Sequence, residues 1–315
     1  MAAQKLKTVF QTLGHTEALK DGSLKPASFD FEFEEVSAII QAFRRMARGT
    51  EFDISEMAIT TYLCARSHGK PFTALPIFLV RAFHHGAILH NTTLGITHPK
   101  QLEGKKVGVN RGYTVTTGVW ARGVLQDQYG VDLSKITWVL SGDEHVAEYV
   151  APANVVPIEA GKKVDEMLIA GDLAAAIGVV VEHPDVQPLI PQAQQAGLDA
   201  LQATGYYPIN HTLVVRDELL AAQPGLAREL FELFAEAKQR YLVRLRGQQI
   251  AVPNKSDLLY QKVMAHGQAD PLPYGIAPNR AMIEAVMRLA TQQGIIRQPF
   301  TVEELFAAGT HDLIG

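Results

Sequence analysis

Three segments bring together side chains that could move a proton or hold an anion. Arg81-Ala-Phe-His84-His85 sets a permanently charged fork donor beside two titratable rings, just beyond an apolar run. Arg111-Gly-Tyr-Thr-Val-Thr-Thr117-Gly offers a second fixed charge and the hydroxyls of Thr114, Thr116 and Thr117, with Gly112 and Gly118 keeping the backbone open. Free N–H groups and a helix dipole at such a turn suit a carboxylate. Ordinary N-capping by Thr114 or Thr116 is the simpler use of the same residues. His211, in Ile-Asn-His-Thr-Leu-Val-Val-Arg, is a lone strand histidine, and such a residue is more often a satisfied core group.

Weaker candidates also fall at the ends of expected strands. They are His15, Ser55, Glu56, the stretch Asp143 to His145, Glu182, His183 and Asn210. Glu56 is read one residue into a helix capped by Ser55, where acids are favoured in any protein.

What is missing narrows the chemistry. No Gly-x-Ser-x-Gly elbow, Walker loop or His-Glu-x-x-His helix is present, so an esterase elbow, a nucleotide and a metal are not expected. The one cysteine, Cys64, excludes an internal disulfide and a multi-cysteine zinc site, and reads as a buried thiol. Net charge is −4 over 315 residues, with no block of Lys and Arg to follow a phosphate backbone, so no nucleic-acid partner is expected. The longest apolar run falls far short of the ~20 residues a membrane span needs. The first residues, MAAQKLKTVFQTLGH, lack the apolar region of an export signal, so a cytoplasmic location is expected.

The elements that must position these groups alternate strand and helix over two thirds of the chain, which predicts an α/β protein with mostly parallel sheets. Strands are expected at Lys5 to Thr12, Phe29 to Phe33, Phe52 to Ile54 and Ala74 to Val80. A fresh unit starts near Lys105, with further strands at Ile136 to Leu140 and Leu173 to Val180. Ile209 to Arg216 is the return strand, and helices follow near Leu226 to Arg246, Ser256 to His266, Asn279 to Gln293 and Val302 to Ala308. Phe231, Leu233, Phe234 and Tyr241 could pack on the first lobe or on a second copy in a homo-oligomer, with core packing preferred. A lobe interrupted by another lobe and then resumed is the wiring of the two-lobed type II periplasmic-binding-protein fold. Residues 1–90 plus 206–315 form lobe 1 and 91–205 lobe 2, with a substrate cleft expected between them.

Several segments together resemble the 4,5-dihydroxyphthalate decarboxylase family, a branch of that fold that works as enzymes. They are Phe52-Asp-Ile-Ser-Glu56-Met, Leu75-Pro-Ile-Phe-Leu-Val-Arg-Ala-Phe-His-His85, Leu102-Glu-Gly-Lys-Lys-Val-Gly108, Val119-Trp-Ala-Arg-Gly-Val-Leu125 and Tyr207-Pro-Ile-Asn-His211. Leu-x-Gly-Lys-x-Val-Gly is common to many solute-binding proteins and speaks only to fold; the other segments are more particular. His84, where the family often carries Arg, and Asn210 depart from the family pattern. The resemblance implies a cofactor-free carboxy-lyase of aromatic-compound and phthalate degradation, acting on a small hydroxylated aromatic diacid.

That chemistry needs cationic clamps for two carboxylates, a proton donor over the ring carbon that loses carbon dioxide, and an acceptor for the para phenol. Arg81, Arg111 and the Thr116 and Thr117 turn can clamp, with Ser55, Thr114 and Tyr207 as further substrate contacts. His211 and His85 are the first proton-donor candidates and His84 the third, since imidazole titrates near neutral pH. Glu56 could accept the phenol proton or orient a histidine. Two other readings use the same fold: a solute-binding protein for a small carboxylate, which needs an export signal or lipobox, and a thiamine-pyrimidine or cofactor-biosynthesis enzyme, which needs a different lining.

Overall fold

The computed structural model describes residues 4–315. The chain opens with β1 (Gln4–Val9), α1 (Glu17–Lys20), β2 (Phe29–Phe33), α2 (Ile39–Gly49), β3 (Ile54–Ala58), α3 (Ile59–Ser67) and β4 (Phe72–Arg81). It continues with β5 (Ile88–Asn91), β6 (Lys106–Val109), α4 (Thr116–Tyr129), β7 (Thr137–Leu140), β8 (Val155–Pro157), α5 (Val164–Ala170), β9 (Ala175–Ile177), β10 (Val186–Pro188) and α6 (Ala193–Thr204). It closes with β11 (Ile209–Arg216), α7 (Asp217–Ala222), α8 (Leu226–Arg246), α9 (Lys255–Ala265) and α10 (Arg280–Gln292).

Contacts divide these elements into two units. The first runs up to Arg81, resumes over Ile209–Glu284 and ends with Phe300–Gly315; the second comprises Ala82–Pro208 and Ala285–Pro299. Residues 82–90, 206–208 and 285–299, expected in lobe 1, thus group with the second unit. The reason for the first is visible in β5, whose Ile88–His90 pairs with β9 of the second sheet.

In the first unit five strands lie in the order β2-β1-β3-β11-β4. β1 is parallel to β2 and β3, and β11 is antiparallel to β3 and β4. The core beneath holds Leu6, Phe10, Ile54, Leu75, Leu213, Leu230 and Phe234. Along α8, Leu226, Leu230, Phe231, Phe234, Ala237, Tyr241 and Leu245 recur at helical spacing and are all buried, which is what seats this helix on the sheet. Phe231, Leu233 and Phe234 therefore serve the core of this unit.

In the second unit six strands lie in the order β10-β5-β9-β6-β7-β8, parallel except around β5. Val139, Val164, Leu168, Leu173 and Ala176 form a core cluster there.

Two expected elements come out differently. Ser55 and Glu56 do not begin a helix: they lie inside β3, whose five residues are all buried, and the helix starts at Ile59. Pairing on both sides, with β1 and β11, outweighs the local capping signal of Ser-Glu. Near the C-terminus the expected helix from Val302 is two short 3₁₀ turns, Glu303–Leu305 and Ala308–Thr310. Between them Phe306 is extended and bridges Ala74 of β4, and Ala307 N–H donates to the Ala74 carbonyl at 3.0 Å.

Candidate active site

The register of β3 on β11 decides which side chains meet. Glu56 lies opposite Leu213, so His211, two residues back, is its diagonal neighbour on the same face of the sheet. The His211 Nδ1 lies 2.6 Å from Glu56 Oε1. The loop that follows β1 closes the other side of the carboxylate: Gln11 donates its main-chain N–H to Oε2 and its Nε2 to Oε1, both at 2.8 Å. Thr16 holds that loop, accepting from Leu13 N–H and donating to the Gln11 carbonyl at 2.7 Å.

Glu56 is fully buried, while the His211 side chain keeps 18% of its surface exposed. Burial alone would push the Glu56 carboxyl up. The hydrogen bond and charge of His211, with the two Gln11 donors, more than offset it and hold the group below the usual carboxylate range. The Phe43 ring of α2 meets the imidazole edge-on, with centroids 5.0 Å apart. One nitrogen of His211 is thus fixed on a buried anion and the other points away from it. This arrangement fixes tautomer and ring direction, as an acid or base that handles one proton at one place requires.

His15, on the same loop, is 1% exposed, and its Nε2 has no hydrogen-bond partner among the described residues. Burial pushes this imidazole down to about 4, against the upward pull of the Glu56 charge and the Leu79 main chain. The unfolded chain takes up this proton from pH 6.5 downwards and the native protein does not, so His15 withdraws stability as pH falls from 6.5 towards 4. Roughly 3 kcal/mol is at stake. His15→Gln should flatten the pH dependence of urea unfolding between pH 7.5 and 4.5 by about that amount; an equally steep loss in the variant would remove His15 as the cause.

Arg81 ends β4 at 4% exposure, with Nη2 donating to Asn279 Oδ1 and the guanidinium 5.7 Å from the Phe78 ring. Asn279 is itself anchored on the Pro273 and Gly275 carbonyls at 2.9 and 2.7 Å. Ser55 is buried, and its hydroxyl donates to the Glu56 carbonyl at 2.7 Å.

The remaining candidates lie in the second unit. His84 is buried just before a 3₁₀ turn. His85 is fully buried with Nε2 2.9 Å from Gln128 Oε1 and its ring against Tyr206. Tyr207 is buried with its ring on Phe83. Arg111 is exposed at the turn after β6. Thr114 is buried, and its hydroxyl donates to Glu144 Oε2 at 2.6 Å instead of capping α4. The N-cap position falls on Val115, with Thr116 buried and Thr117 half-buried in the first turn.

Sequence reasoning missed Gln11 and Phe43, and held Glu144 only within the weaker stretch Asp143 to His145, with no partner assigned to it. Gln11 was absorbed into an overlong first strand, although its place just past a parallel strand end was a usable signal. Phe43 gave none beyond helical spacing, and Glu144 none beyond its place at a strand end. Among the described residues no group of three or more His, Cys, Asp or Glu is arranged to hold a metal ion, and no helix is long and apolar enough to cross a membrane.

No protein-family model matches the chain. Among solved structures it is similar to the aliphatic sulphonate-binding protein SsuA of Escherichia coli (TM-score 0.54, 12% identity, 98% of this chain and 92% of that one). It is also similar to the desulfurization enzyme DSZB (TM-score 0.51, 14% identity, 96% of both chains). At such identities the likeness concerns the fold, which is the type II periplasmic-binding-protein fold expected from the wiring. Two curated relatives are closer in sequence. A 4,5-dihydroxyphthalate decarboxylase of Pseudomonas putida is 32% identical over 180 residues, covering 53% of this chain and 69% of the relative. A second, of Comamonas testosteroni, is 30% identical over 283 residues, 84% of this chain and 85% of the relative. With more than four fifths of both chains covered at that identity, and Glu56 and His211 standing in segments that carry the resemblance, the chain belongs to the 4,5-dihydroxyphthalate decarboxylase family.

Proposed function

We propose that this protein is a cofactor-independent decarboxylase of a hydroxylated aromatic dicarboxylic acid, 4,5-dihydroxyphthalate or a close analogue. The observation that carries the reading is the buried Glu56 carboxylate, pinned by Gln11, with His211 Nδ1 on its free side. His211 is the proton donor. Its proton passes to the ring carbon bearing the departing carboxylate, as the para phenol gives up its own proton and pushes electrons into the ring. The carbon–carboxylate bond then breaks, its electron pair restores the aromatic ring, the phenolate takes its proton back from the acceptor that held it, and carbon dioxide leaves. One proton is consumed per turnover and comes back to His211 from solvent.

Glu56 orients the imidazole in this scheme, because its two oxygens are already held by Gln11 and His211; the phenol needs another acceptor. Arg111, with the Thr116 and Thr117 hydroxyls, is assigned a substrate carboxylate. Arg81 holds Asn279 from the end of β4, where that strand pairs with β11. A cytoplasmic location accords with an enzyme of a small diffusible acid.

The second reading, a binding protein without chemistry, has the SsuA likeness in its favour. Against it, an oriented acid–base couple with a fully buried carboxylate is an expensive feature for mere binding. Carbon dioxide release from a panel of hydroxylated phthalates and benzoates separates the two. Release from a para-hydroxylated diacid is expected, whereas tight binding with no release from any of them would favour the binding protein.

A further inference from the structure

The turn after β6 carries more internal support than a surface loop needs. Arg111 has a left-handed backbone (φ 72°), uncommon for a residue with a side chain. Its N–H donates to Ser141 Oγ at 2.7 Å. The next peptides are gripped from above by Glu144, which accepts from Tyr113 N–H, from Thr114 N–H at 3.1 Å and from the Thr114 hydroxyl at 2.6 Å. From below comes Arg122 of α4, in the Trp-x-Arg-Gly segment. Its Nη2 donates to the Tyr113 carbonyl at 2.6 Å, its Nε to Gln293 Oε1 at 2.7 Å, and its guanidinium lies 3.7 Å from the centre of the Tyr113 ring.

Arg122 is fully buried, and its Nη1 has no hydrogen-bond partner among the described residues. A buried guanidinium without a touching carboxylate is costly, and Glu144 acts on it through space. The two charges therefore bracket one residue, Tyr113, at both its N–H and its C=O. The Arg111 guanidinium beyond this bracket stays exposed and forms no ion pair with a described residue.

We propose that Glu144 and Arg122 are positioning residues: they clamp Tyr113 from both ends and so hold Arg111 in the strained turn that presents its guanidinium to a carboxylate of the substrate. This rests on the reading of Arg111 as a carboxylate contact. Neither Glu144 nor Arg122 touches the reacting atoms. They act by sparing Arg111 the ordering that a free loop would have to undergo on binding.

Steady-state kinetics of the full chain on the diacid it decarboxylates tests this. Glu144→Ala should raise KM roughly tenfold or more, the order expected for losing charge-assisted hydrogen bonds, with kcat within about twofold. Glu144→Gln, which keeps an acceptor oxygen, should recover part of the loss, and Ser141→Ala should shift KM in the same direction by less. Arg111→Ala should raise KM on its own, and adding Glu144→Ala to it should cost little more, because the clamp acts through Arg111. Losses that multiply in the double variant, or an unchanged KM in both Glu144→Ala and Ser141→Ala, would overturn the proposal.

If no diacid is decarboxylated, the functional reading fails separately, and the clamp is read by calorimetry with phthalate dianion. Weaker binding in Arg111→Ala and Glu144→Ala that does not accumulate in the double variant supports it. Equal binding by all forms, or none by the wild type, defeats it.

Discussion

His211→Asn is expected to lower kcat by roughly 10²–10⁴, the range a positioned acid supplies, while the protein stays folded. Asparagine can place an amide N–H where Nδ1 now meets Glu56 and so keeps the buried carboxylate partnered, but it has no second ring nitrogen to carry a proton. His211→Ala should lose as much turnover and stability as well, because it leaves Glu56 as a fully buried carboxylate short of a donor. Urea unfolding of both variants beside their turnover separates the two effects. Turnover within threefold of wild type in His211→Asn would take His211 out of the mechanism.

Glu56→Gln should also cost roughly 10²–10⁴ in kcat, because removing the anion behind an imidazole releases its tautomer and its direction. The amide is nearly isosteric but presents an N–H to one of three groups that now donate, so a stability loss of about 1–3 kcal/mol is expected too. A pH signature accompanies it. Glu56 is held below the usual carboxylate range, so its stabilising contribution is present above the ordinary carboxylate pKa and is lost as pH falls through its lower native value. The glutamine variant should lack that part of the acid-induced loss. If Glu56 works through His211, the double variant Glu56→Gln, His211→Asn should be hardly slower than the worse single one. Independent, multiplying losses would mean that the two residues serve separate steps.

Much of this fold is legible in the residues because the local signals agree with the tertiary outcome. Phe29–Phe33, Ile209–Arg216 and Leu226–Arg246 occupy the spans their periodicity predicts. Where local and long-range preferences conflict, the long-range one prevails. Ser55-Glu56 ahead of an apolar run is a helix start by every local criterion, yet β1 and β11 draw it into the sheet. That conflict hid the place of Glu56 in the sheet and so which histidine it meets, 155 residues away. The Glu144 clamp was hidden for the same reason, since nothing local joins a loop acid to a turn 30 residues earlier. His85 illustrates the converse: the Arg-x-x-His-His segment looks reactive as a string, but burial turns His85 towards Gln128.

The product formed in heavy water tests the central claim most directly: that this chain replaces one ring carboxylate by a solvent-derived proton. With a para-hydroxylated aromatic diacid, proton NMR should show one deuterium at the vacated ring carbon for each carbon dioxide released, and His211→Asn should slow both together. Carbon dioxide release with protium at that carbon, or deuteration proceeding at the wild-type rate without His211, would contradict it.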